Sequence, residues 1–176
     1  RMSTVNQIPE ILRANIEWHI EQIAVQVGHA DKVQGRAKSG YYKIAILLVS
    51  TVVEALAHLV LEKALAAGTI PPAGPWESYE CHDLPPTHQP TGYRLAICKR
   101  RQPVFKLTGK TDFVRVNEVS RDLGIFSPPF FIKIERVRTS RNRIHLQGLD
   151  KIDRSYTKKQ LESVSYVMQK LIDKLT

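Results

Sequence analysis

The stretch SPPFFIKIERVRTSRNRIHLQG, Ser127 to Gly148, holds a helix start, a helix stop and a charge cluster of one sign. Ser127 is an N-cap residue, and Pro128 stands at the first helical position, where its fixed φ and missing N–H cost nothing. Phe131, Ile134, Val137 and Ile144 follow at helical spacing as an inward face, and Gly148 marks the expected stop. The second half, RTSRNRIHLQ, presents Arg138, Arg141 and Arg143 with Asn142 and His145 and little that is apolar. At about 100° per residue Arg138 and His145 return to nearly the same face, with Arg141 and Asn142 one turn before His145, so all four can line one groove.

Those residue types share a chemical use. A guanidinium holds a phosphodiester bidentately, an imidazole with a pKa of about 6.5 exchanges a proton at neutral pH, and a carboxamide orients either. Such a set suits cleavage of RNA without a metal, with His145 deprotonating the ribose 2′-OH and an arginine stabilising charge on the phosphorane. Along the helix axis Arg138 lies about 10 Å from His145 and Arg141 about 6 Å, which favours Arg141 as the arginine that holds the reacting phosphate. The plain alternative is a helix end whose basic side chains complement the macrodipole and whose histidine is merely exposed.

The flanking segments predict a mainly α fold, a bundle of four to five helices. After the charged stretch, Thr157 and Gln160 form a capping box, and Leu161, Val164, Met168, Leu171 and Leu175 make the seam of a last helix. At the other end, Asn6 caps a first helix with Ile8, Leu12, Ile16, Ile20, Ile23 and Val27 inward, ending at Gly28. A second helix is expected from Ser39 to Ala67, with Gly68 as its stop; its apolar residues run most of the way round, which places it mid-bundle. Its most apolar part, IAILLVSTVVEALAHLVL, is interrupted by Glu54 and His58 and reads as a core helix rather than a membrane span. Ser50, Glu54, His58 and Glu62 step by four into a polar stripe. A buried carboxylate there needs a partner, and Arg138 or Arg141 is the attractive one, which makes Glu54 a site-supporting residue; otherwise the stripe faces solvent.

Residues 69 to 111 break the helical pattern with prolines and turn formers and read as an insertion between the second and third main helices. Within it, YRLAIC and VFKLT flank KRRQP as a β-hairpin, with Lys99, Arg100 and Arg101 placed to follow a phosphate backbone. Asp112 then caps a short helix closed by Gly124. Cys81 and Cys98 form no C-x-x-C pair and read as reduced thiols of a cytoplasmic protein. With His82 and His88 they match no common zinc spacing, so no metal is expected. Phosphate-loop, dinucleotide and hydrolase-elbow motifs are absent from the sequence, and no cofactor is implied.

Charge placement supports a nucleic-acid partner. The formal net charge is +9, and Lys99 to Lys159 alone holds 16 Lys and Arg against 6 Asp and Glu. Clustered positive charge is the footprint of a polyanion partner, and Arg136 and Arg143 join the hairpin residues as expected RNA contacts.

A helical bundle whose late helix carries R-N-R-I-H, after an Arg-rich turn and before one last amphipathic helix, resembles the HEPN domain. The resemblance covers the first helix, the STVVEA core helix, Ser127 to Gly148 and the terminal helix, so the chain is read as one domain, 1–176. The family's signature is an arginine and a histidine separated by four to six residues, often with a polar residue after the arginine. Arg138 fits the spacing to His145 and is followed by Thr139; Arg141 is followed by Asn142 but stands closer to His145 than the pattern asks. The resemblance implies a metal-independent endoribonuclease of toxin–antitoxin or antiviral-defence settings, a homodimer with a composite cleft, and an antitoxin or defence-system partner protein. Some HEPN proteins are inactive binding or accessory modules, which is the alternative, and a basic helical domain binding duplex DNA is a third.

Overall fold

The structure, a computed structural model, describes residues 9–69, 77–88, 91–92, 94–101, 105–144 and 155–175. Among these, five α-helices and one hairpin follow as α1 (Glu10–Asp31), α2 (Gly35–Ala66), β1 (Glu77–Asp83), β2 (Ala96–Arg101), α3 (Phe113–Asp122), α4 (Pro128–Ile144) and α5 (Lys158–Leu175). This is the all-α bundle with a β-hairpin between its second and third helices.

α2 is the hub on which α1, α3, α4 and α5 all pack. Val49, Val53, Leu56 and Val60 are buried along one face of it, and Leu59 and Leu61 extend the burial to either side, each contributing about 1.5–3 kcal/mol by leaving water. Its length and composition would suffice to cross a bilayer, but 61% of its most apolar window is buried inside the fold, as a core helix requires. α4 packs on α2 through Ile134, Val137 and Ile144, all buried, while Phe131 is only half-buried. α5 adds Leu161, Val164, Val167 and Leu171. Its start is the expected capping box: Thr157 N–H donates to Gln160 Oε1 at 2.8 Å, and Gln160 N–H to Thr157 Oγ1 at 3.3 Å.

Four expectations are corrected. α1 runs through Gly28 to Asp31, because Ala30 is fully buried and His29 stacks on Tyr41 at 5.3 Å, and these contacts offset the roughly 1 kcal/mol that a helical glycine costs; Asn6 and Ile8 lie outside the described residues, and Ile20 is exposed. α2 begins at Gly35 rather than Ser39, whose hydroxyl instead accepts a 2.7 Å hydrogen bond from Tyr156 N–H and ties the lead-in of α5 to α2. The hairpin pairs Glu77–Asp83 with Ala96–Arg101, not YRLAIC with VFKLT; Phe105–Thr108 is irregular. The antiparallel register sets Cys81 opposite Cys98, and the two form a disulfide across the strands, so they are not the reduced thiols expected. That bond removes the sequence argument for a reducing compartment. A bulge between Tyr79 and Cys81, with Glu80 at φ 49°, makes the register possible.

Candidate functional site

α4 carries two basic rows with different surroundings. In the first, Arg141 Nη1 donates to Glu54 Oε2 on α2, with the two side chains 30% and 27% exposed. The stripe on α2 resolves accordingly: Ser50 is buried and bonds its own helix at Ile46 O, 2.7 Å, Glu62 is exposed, and Glu54 reaches α4. Arg138 belongs elsewhere. Its Nε and Nη2 donate to Glu135 Oε2 at 2.9 and 2.7 Å, and Glu135 Oε1 accepts from Asn117 Nδ2 of α3 at 2.7 Å.

Burial pushes the Glu135 carboxyl upward, but the hydrogen bonds from Arg138 and Asn117, with the Arg138 charge, outweigh it and hold its pKa below the ordinary value. Asn117 is fully buried, and its Oδ1 has no partner among the described residues. Arg138 and Arg141 are therefore engaged by different carboxylates, Glu135 on α4 and Glu54 on α2. Three residues along a helix leave the side chain about 60° short of a full turn, enough for Arg141 to reach α2 while Arg138 stays with Glu135 of its own helix. Asn142 is exposed, and His145 lies outside the described residues.

The second row is Lys133, Arg136, Ser140 and Arg143, which line a groove of about 750 Å³ between α4 and α5. Arg136 and Arg143 are exposed and pair with no carboxylate among the described residues. Lys133 Nζ sits 4.3 Å from the Tyr166 ring centroid. The hairpin contributes nothing to either row: its strands pack chiefly on each other. There Lys99 pairs with Glu80, Arg100 is exposed, and the Arg101 side chain is outside the described residues.

Glu135, Asn117 and the tyrosines of the groove were not picked out from sequence. Glu135 had a signal, since it lies one turn before Arg138, an i,i+3 ion-pair spacing. Asn117 had none, because its role depends on how α3 meets α4. Among the described residues no three His, Cys, Asp or Glu side chains converge as a metal-ligand set.

Together these features define a helical bundle whose fourth helix carries a carboxylate-braced arginine row and a basic row that meets no carboxylate partner among the described residues. No family model, curated protein or solved structure matches the chain.

Proposed function

We propose that the protein is a metal-independent endoribonuclease of the HEPN type, with Arg141 and His145 as its reacting pair. The observation that carries the reading is the Arg141–Glu54 pair between α4 and α2. A carboxylate on one of its five donors fixes the guanidinium and leaves the others for a phosphate. An arginine so held stabilises charge on a phosphorane without reorganising as the charge develops. His145, four residues on in sequence, takes the proton from the ribose 2′-OH; the 2′ oxygen attacks phosphorus and the 5′ oxygen leaves. In a two-fold dimer one histidine serves as base and its symmetry mate as acid, and toxin or defence pathways are the setting in which such cleavage is used. Arg138, held bidentately by Glu135, acts in binding rather than chemistry.

The test is incubation of the purified protein with single-stranded RNA in EDTA. The reading expects cleavage that disappears in His145→Ala. Tight binding without products would instead favour an inactive binding module, and preference for duplex DNA would favour a DNA-binding domain.

A further inference from the structure

We infer that the groove between α4 and α5, on the row of α4 away from the Arg141–Glu54 pair, is a binding track for single-stranded RNA. The inference rests on the proposed action on RNA but assigns a surface that the cleavage chemistry does not use. The groove has the three parts that such a strand requires. Its floor is apolar, formed by Val137, Val164 and Val167 with Ile46 of α2. One rim is basic: Lys133, Arg136 and Arg143 are spaced three and seven residues apart and extend over about 15 Å of helix. Glu135 is the one acidic side chain among the lining residues, and it is already engaged by Arg138 and Asn117.

The third part is aromatic. Tyr166, 47% exposed, stands on the α5 wall near Lys133, and Tyr156 lies toward the other end. Lys133 occupies the Tyr166 ring in the free protein, and a base stacking there releases that ammonium to a phosphate. Tyr156 also borders a second cavity of about 900 Å³ with Arg36, Lys38 and Lys158 against one carboxylate, Asp31, on its walls, so a net positive surface continues from the groove toward the start of α2. Charge complementarity selects the occupant. A helix from another protein would match the arginine rim only with acidic side chains placed along its edge, whereas a single strand with bases inward and phosphates outward carries a charge at every nucleotide and satisfies both.

Binding of a 2′-O-methylated single-stranded RNA, which lacks the nucleophile and cannot be cleaved by 2′-OH attack, separates this inference from the proposed activity. Affinity is measured against salt for the wild type, Arg136→Gln/Arg143→Gln and Tyr166→Leu; all three positions are exposed, and circular dichroism checks folding. The expected result is at least a tenfold weaker complex for the double variant, with a log–log salt slope shallower by about 1.4, and weaker binding with an unchanged slope for Tyr166→Leu. Wild-type affinity and slope in the double variant overturn the inference even if the protein cleaves RNA. So does loss of self-association in these variants with RNA binding intact, which would assign the groove to a second copy. Loss of binding in the variants of a protein that cleaves nothing upholds the track and refutes the nuclease reading.

Discussion

At the level of single residues, Arg138 and Arg141 have separate partners. Arg141 is braced from α2 by Glu54, and Arg138 from its own helix by Glu135. Arg141→Ala is expected to lower single-turnover cleavage at saturating RNA by about 10²–10³-fold, the usual cost of losing one preorganised transition-state donor. Arg138→Ala should mainly weaken RNA binding. The reverse pattern would make Arg138 the reacting arginine. Glu54→Gln should cost about 1–2 kcal/mol of stability, between the values for exposed and buried pairs, and slow the chemical step. Glu135 gives a pH prediction. Its folded pKa lies below the ordinary 4.5, so its contribution to stability is present above pH 4.5 and is lost as pH falls through the folded value. Urea unfolding should therefore show wild type more stable than Glu135→Gln at neutral pH, with the gap closing below pH 4.5. A gap that persists or widens in acid contradicts the assignment.

Among the elements, the hairpin is the part whose stability stands apart. Two strands alone are marginal in water, and β1 and β2 pack chiefly on each other, so the Cys81–Cys98 bond is what holds them. Reduction, or the Cys81→Ser/Cys98→Ser change, should raise hydrogen exchange across residues 77–83 and 96–101 while leaving the helices protected. A matching loss in α2 would show that the hairpin supports the bundle. Elements were legible in the sequence to the degree that local signals governed them. The Thr157 capping box, Ser127–Pro128 and the apolar girth of α2 each act within a few residues, and each appears in the fold. The strand pairing was misread because β-propensity favoured VFKLT, whereas the actual partner lies across a proline-rich segment and is joined by a disulfide. In the site, Glu54 was legible from its interval of four on an apolar helix. Which arginine takes Glu54 was not, because that depends on how α4 is turned against α2.

For the whole molecule, α1 presents a further surface. Ile11, Trp18 and Val25, seven residues apart, are exposed on the helix whose other side packs on α2. Such a row suits a second copy of the chain, and Trp18→Glu should shift light scattering toward the monomer; an unchanged mass would place any dimer contact elsewhere. The proposed chemistry fixes what the ends of the RNA products must be. Cleavage in EDTA through attack by the 2′ oxygen must leave a 2′,3′-cyclic phosphate on one fragment and a 5′-hydroxyl on the other, and a 2′-deoxy sugar at the scissile position must block it. Products ending in 3′-hydroxyl and 5′-phosphate, or cleavage that persists at the deoxy position, would contradict the account.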